Sequence, residues 1–318
     1  MYLDFAPMEG ITTALFRRLH AQYFSGVDRY YTPFLSPTQD RILTPREKRE
    51  FLPEFNEGVW VIPQILTKHA EDFLWAAREL HAMGYEEVNL NLGCPSGTVT
   101  AKGKGAGMLA DPEGLDRFLD AIFSGAPCRI SIKTRLGMED PEEFEQLLSI
   151  YDHYPLSELI IHPRVRKDFY RHPVRRETFS RAYETSRSPL SYNGSIVTPR
   201  DHDALSQQYP RLRSVMIGQA LVSDPFLAEK IRSGRGGSKA VLRSFHDALL
   251  EGYTEQFGSR TNAAKRMKEL WFYLLRSFGG SASLGKKLMN SRTPEEYTQI
   301  VSAIFRELPL LEYSTGDW

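Results

Sequence analysis

Short runs of apolar, β-branched or aromatic residues recur along the first two-thirds of the chain. They lie at Leu3 to Pro7, Arg29 to Phe34, Val59 to Leu66, Glu87 to Leu92, Arg129 to Thr134, Glu158 to His162, Pro189 to Asn193 and Ser214 to Gly218. Runs of this length bounded by turn formers predict strands. Between them lie stretches of helical periodicity whose starts carry a capping side chain ahead of a proline: Thr44-Pro45, Asp111-Pro112, Asp140-Pro141 with Glu143, Thr198-Pro199 and Asp224-Pro225. The capping oxygen satisfies an amide that the first helical turn leaves open, and proline suits the first position because it has no N–H there to satisfy. Strand and helix therefore alternate, which predicts parallel strands joined by right-handed crossovers. The eight runs match the number of units that closes a (β/α)8 TIM barrel. An open doubly wound sheet is the weaker expectation, because the first strand runs into Ala6-Pro7-Met8-Glu9-Gly10 and not into a glycine-rich dinucleotide loop.

Beyond residue 236 the strand pattern stops. Gly234 to Gly237 offers a flexible junction, after which Lys239 to Phe257, Thr261 to Phe278, Leu284 to Asn290 and Thr293 to Leu308 read as amphipathic helices. The last opens with Thr293-Pro294-Glu295-Glu296, the pattern of a capping box. The expected organisation is a catalytic barrel domain over residues 1–236 and a small helical bundle domain over 237–318.

Composition narrows the class. With 318 residues, 41% hydrophobic, and 40 Lys+Arg against 40 Asp+Glu, the chain is neither disordered nor collagen-like. It lacks any apolar run of membrane-spanning length, and its start lacks the basic and apolar pattern of a secretory signal, so a cytoplasmic protein is expected. Cys94 and Cys128 are the only cysteines, too few for a disulfide framework or a structural zinc site, and no metal is expected. Charge is uneven, however. From Arg164 to Arg187 the cations are Arg164, Arg166, Lys167, Arg171, Arg175, Arg176, Arg181 and Arg187, against Asp168, Glu177 and Glu184. Such a segment is either a solvated surface or a contact for a polyanion.

In a TIM barrel the active site lies at the C-terminal strand ends. Those ends carry Pro7-Met8, Thr32 to Phe34, Gln64, Asn89 to Asn91 with Cys94, Lys133 to Arg135, His162 to Arg164, Asn193-Gly194 and Gly218-Gln219. A buried polar side chain is costly unless paired, so polar residues recurring at the same end of several strands point to a site. Gly93 and Pro95 break the fourth strand and lift the Cys94 thiol into the mouth, whereas Cys128, ahead of a strand at the other end, should be structural. Lys133 reads either as a core lysine paired with a carboxylate or as a fixed cation for a cofactor that carries negative charge, such as a reduced flavin. His162 is a candidate donor to such a ring. Asn193-Gly194 and Gly218-Gln219 follow the last two strands, where barrels commonly hold a phosphate on backbone amides.

Together these segments resemble the tRNA-dihydrouridine synthase family, flavoenzymes that reduce the C5=C6 bond of uridines in tRNA. The resemblance covers nearly the whole chain and is most specific at Asn91-Leu92-Gly93-Cys94-Pro95 and Lys133-Thr134-Arg135-Leu136-Gly137, with Lys102 to Ala106, His162-Pro163-Arg164 and Met216-Ile217-Gly218 in support. It implies FMN as cofactor, NADPH as co-substrate, and tRNA as substrate and partner of a monomer that needs no membrane. Pro7, Met8, Gln64, Lys133 and His162 would surround the flavin ring, and Asn193, Gly194, Gly218 and Gln219 its phosphate. Asn91, Arg164 and Lys102 would face the substrate, and Cys94 would act as general acid, since a thiol is a proton donor at neutral pH. Two departures stand out: Gln219 replaces the family's arginine after the last strand, and Pro163 and Val165 replace the glycine and threonine of the family's His-Gly-Arg-Thr. The alternatives are an FMN-dependent reductase of a small molecule, such as a pyrimidine or enone, and an RNA-binding scaffold with weakened catalysis.

Overall fold

The computed structural model describes residues 1–316. Its strands are β1 (Tyr2–Phe5), β2 (Arg29–Tyr31), β3 (Val61–Ile62), β4 (Gln64–Ile65), β5 (Glu87–Leu92), β6 (Arg129–Arg135), β7 (Leu159–His162), β8 (Leu190–Asn193) and β9 (Ser214–Ile217). They form a sheet in the order β3-β2-β1-β9-β8-β7-β6-β5-β4, with parallel pairing between hydrogen-bonded neighbours. The two ends of that order, β3 and β4, are halves of one run, so the sheet curls into a nearly closed TIM-type barrel with helices outside it. The single strand expected from Val59 to Leu66 is thus broken at Pro63. Proline brings no N–H to the ladder, and the neighbouring groups adjust: Gln64 N donates to Thr32 Oγ1 at 3.0 Å, and Asn89 N to Pro63 O at 2.8 Å.

Helix starts follow the capping signals where the side chain is left free to cap. Thr44 and Thr198 form reciprocal boxes with Glu47 and Asp201, and Asp111 accepts from Gly114 N. Asp140 does not cap: its Oδ1 accepts from Glu142 N at 2.9 Å while Glu143 folds back onto the amides of Met138, Glu139 and Asp140, so the helix begins at Glu143. Asp224 is claimed by the buried Lys230 ammonium at 2.6 Å and by Phe226 N, and its helix starts at Leu227. The box at Thr293 is half formed, because Glu296 accepts from Arg292 N. The remaining C-terminal helices are Lys239–Phe257, Arg260–Leu274 and Ala282–Asn290, with a tight turn at Leu275–Ser277 where a continuous helix to Phe278 was expected. No helix among the described residues is long and apolar enough to cross a membrane.

Packing joins the C-terminal helices to the barrel. Helix Lys239–Phe257 lies along helix Ala14–Tyr23, where the Phe245 ring meets Phe16 and Phe24 edge-on at 5.7 and 4.9 Å. Gly252 lets the two approach, since a Cβ there would lie 2.8 Å from the Leu15 side chain. One contiguous cluster of buried apolar side chains runs from the barrel's outer face into the helices.

The barrel interior is layered. Ala6, Tyr31, Ile62, Ile160 and Met216 form a small apolar cluster of their own. Towards the N-terminal strand ends lies a fully buried ionic layer in which Arg29 bonds both Asp4 oxygens at 2.6 and 2.7 Å and reaches Glu158 at 2.8 Å. Ser214 donates to Glu158 at 2.8 Å, and Ser191 donates to the same carboxylate oxygen. Burial, with Glu158 adding to it and Arg29 opposing, pushes the Asp4 carboxyl up to about 7.

Two outcomes follow for this layer. Arg29→Met strands two buried carboxylates and should lower the unfolding free energy in urea by about 3–5 kcal/mol. Because folding raises the Asp4 pKa, its contribution is fully present below about 4 and lost as pH rises towards about 7. Unfolding curves across that window should therefore slope downward with pH, and Asp4→Asn should flatten them.

Candidate active site

The C-terminal ends of the strands enclose a cavity of about 310 Å³. Its wall includes Pro7, Met8, Gln64, Asn91, Cys94, Lys133, His162, Arg164, Asn193, Gly194, Gly218 and Gln219. Lys102 is exposed in the Gly97 to Gly107 loop and does not line the cavity. Strand register explains the convergence: Asn91 stands beside Lys133, Arg135 beside His162, and Asn193 beside Met216.

A chain of hydrogen bonds fixes the turn that carries the thiol. Asn89 Nδ2 donates to Ser131 Oγ at 3.0 Å, Gln64 Nε2 to Asn89 Oδ1 at 2.8 Å, and Asn91 Nδ2 to Gln64 Oε1 at 2.7 Å. Asn91 Oδ1 then accepts from Gly93 N at 3.1 Å and Cys94 N at 2.9 Å, which sets the turn that presents Cys94. From the other side Ala106 N donates to Cys94 O at 3.1 Å. Gly105, at φ 58°, allows this approach, because a Cβ there would lie 3.0 Å from Cys94 O and 3.1 Å from Cys94 Cβ. Arg135 Nε donates to Gly93 O at 2.9 Å, and its Nη1 to Val165 O and Phe169 O, tying the thiol's loop to the loop after β7. Cys128 is instead held ahead of β6, where burial, with the nearby Glu87 charge, pushes its thiol up to about 11.

Charge in the mouth is predominantly positive. The Lys133 ammonium makes no hydrogen bond or ion pair with any described residue. Burial, then the Arg135 charge, brings its pKa down to about 7, with Cys94 opposing. His162 lies well below the ordinary imidazole range, chiefly through burial and then through Arg135, Lys133 and Arg164. It is therefore neutral. Arg164 Nη1 lies 2.8 Å from His162 Nε2, and since a guanidinium only donates, Nε2 is the acceptor and Nδ1 carries the proton. The other Arg164 donors go to His172 O at 2.5 Å and Ser195 Oγ at 3.0 Å. The side chain expected to face substrate is thereby occupied in holding His162 and two loops.

Two loops offer an anion cradle. Gly194 has φ 144°, and a Cβ at Gly218 would lie 3.3 Å from Ala6 Cβ. The amides of Ser195, Ile196, Gln219 and Ala220 donate to no group among the described residues. Asn193 Nδ2 is directed inward to Met216 O at 2.8 Å and ties β8 to β9.

The basic segment is less open than its composition implies. Arg175 pairs with the buried Asp168, Lys167 lies 3.4 Å from Glu139, Arg181 2.6 Å from Glu142, and Arg166 reaches Thr100. Tyr170, from the same loop, lines the cavity with its ring 5.8 Å from His162. Tyr273, on helix Arg260–Leu274, also lines it. Burial raises the Tyr273 phenol, a hydrogen bond with Gln219 opposes this, and Tyr170 adds to it. No barrel periodicity marks Tyr273; the available signal is the run Trp271-Phe272-Tyr273, since consecutive aromatics on a helix cannot all face one core.

Solved structures with the same fold include morphinone reductase, with a TM-score of 0.52 over 73% of this chain and 86% of that one at 14% identity. The old yellow enzyme homologue from Zymomonas mobilis gives 0.53 over 76% and 91% at 10% identity. In sequence, the tRNA-dihydrouridine(16) synthase of Ralstonia nicotianae is 30% identical over 71% of each chain. That of Pseudomonas putida is 26% identical over 98% of this chain and 99% of its own. A probable tRNA-dihydrouridine synthase of Staphylococcus epidermidis strain ATCC 12228 is 26% identical over 93% and 91%. The family profile for dihydrouridine synthase (Dus) matches residues 4–308, and this chain belongs to that family.

Proposed function

We propose that the protein is a tRNA-dihydrouridine synthase that reduces the C5=C6 bond of a uridine in tRNA, with FMN in the barrel mouth and NADPH as reductant. The observation that carries this reading is the convergence in one cavity of Cys94, on a turn held by Asn91, with Lys133, which makes no ion pair with any described residue, and His162. When bound, FMN supplies the hydride, recharged by NADPH.

The residues fit such a group. A ring that gains negative charge on reduction suits the unpaired Lys133 and the Nδ1–H donor of His162, with Pro7, Met8 and Gln64 as its other neighbours. A phosphate suits the open amides at Ser195, Ile196, Gln219 and Ala220 with the glycines at 194 and 218. Gln219 adds a neutral amide there, anchored by Tyr273, in place of an arginine's charge-assisted fork.

Cys94 donates its proton to uracil C5. Asn91 gives one Nδ2 hydrogen to Gln64 and keeps the other for a substrate carbonyl. Arg164 acts through His162, holding its tautomer. The cationic mouth suits a polyanionic RNA, and a base reduced inside the cavity at the strand ends has left its stack.

The test is a visible spectrum of the purified full chain together with dihydrouridine mapping of tRNA from cells with and without it. The expected result is a yellow protein whose loss removes dihydrouridine at a defined position. Position 16 is mapped first, because the Ralstonia and Pseudomonas relatives are named for it. A yellow protein whose loss leaves tRNA unchanged shifts the assignment to a small-molecule reductase.

Cys94→Ala should keep the flavin spectrum and lose about a hundredfold or more in dihydrouridine formation, the scale of a positioned proton donor. Wild-type turnover would remove the thiol from the reaction. Lys133→Met should make the bound flavin harder to reduce and slow its reduction by NADPH by about tenfold, the scale of one charge-assisted hydrogen bond. Stopped-flow bleaching of the flavin band reads this directly.

A further inference from the structure

Three aromatic rings beside the mouth are left in solvent, and each has an arginine against its face. Phe169, Tyr170 and Phe272 are 38%, 47% and 52% exposed. The guanidinium carbons of Arg166, Arg135 and Arg276 lie 5.5, 5.2 and 4.5 Å from the respective ring centroids. Two of these rings have no part in the site described above. Phe169 belongs to the barrel loop after β7, next to the cavity-lining Tyr170. Phe272 belongs to the C-terminal helices and stands edge-on at 5.1 Å to Tyr273, which lines the cavity from that side.

Neither ring is placed there by packing. Trp271 fills the helical core, so the next residue faces water, where a large apolar side chain gains nothing for the fold. Phe169 takes φ 50° and ψ −104°, a backbone conformation that side-chain-bearing residues seldom adopt, and its carbonyl is held there by Arg135 Nη1 at 2.8 Å. Strain of this kind persists where the surrounding contacts over-determine it, and here it holds an aromatic ring out of the core at the rim of the site.

We propose that Phe169 and Phe272, one ring from the barrel and one from the C-terminal helices, form a clamp on which the bases flanking the target uridine stack. This deepens the tRNA reading and rests on it. A uridine drawn into the cavity leaves each neighbouring base with one bare face, and exposed rings next to two cavity-lining tyrosines can cover those faces. On the barrel side Arg166, against the Phe169 ring, adds positive charge beside the stacked base.

The test compares tRNA kinetics of the full chain with Phe169→Ala and Phe272→Ala, each paired with Trp and Leu at the same position. Each Ala variant should raise KM for tRNA by roughly tenfold, the scale of one stacked base, with kcat at saturating tRNA changed less than about twofold. Trp should restore KM, whereas Leu, which covers apolar area but offers no π face, should not. Trp60→Ala is the control, since Trp60 is equally exposed with Arg29 against its ring but precedes β3 at the opposite end of the barrel; its KM should stay at the wild-type value. Unchanged KM in both Ala variants, full rescue by Leu, or an equal loss in Trp60→Ala each overturns the clamp while leaving the tRNA reading in place. A wild-type enzyme that forms no dihydrouridine in any tRNA overturns both.

Discussion

The hydrogen-bond chain from Ser131 through Asn89, Gln64 and Asn91 to the Cys94 amide is the constraint on which the site depends. Closing a barrel sends alternate residues of each strand inward, where water cannot satisfy them. Amide side chains solve this by bonding to one another across strands, and each link fixes the next. The last acceptor is Asn91 Oδ1, and the donors it takes are the backbone amides that aim the thiol. The network that satisfies the core also sets the turn that carries Cys94.

The same desolvation acts at both ends of the barrel with opposite results. At the N-terminal end, Asp4 and Glu158 surround Arg29, so charge is nearly balanced within the protein. At the mouth, Lys133, Arg135 and Arg164 meet few carboxylates, Asp168 being taken by Arg175. Burial and the Arg135 charge consequently lower the proton affinity of Lys133. The first layer is balanced within the protein, and the second carries surplus positive charge.

The C-terminal helices share their apolar core with the barrel and lend Tyr273 to the cavity wall. Contacts to a large substrate can thus be set by two parts of the chain whose relative placement is fixed by packing, as at Phe245 against Phe16 and Phe24.

Local signals were sufficient for the alternation of strands and helices, the caps at Thr44, Asp111 and Thr198, and the set of polar residues at the strand ends, because each depends on near neighbours in the chain. The broken third strand was partly legible in Pro63, whereas the diversion of Asp140, Asp224 and Glu296 to other donors was not. Tertiary structure alone decided that Arg164 grips His162, that Arg175 braces Asp168, that Lys102 stands clear of the cavity, and that Tyr273 enters it. Residue type and spacing determine which chemistry a chain carries to a strand end. Which donor meets which acceptor depends on segments far apart in sequence, and that competition is settled only once the barrel closes.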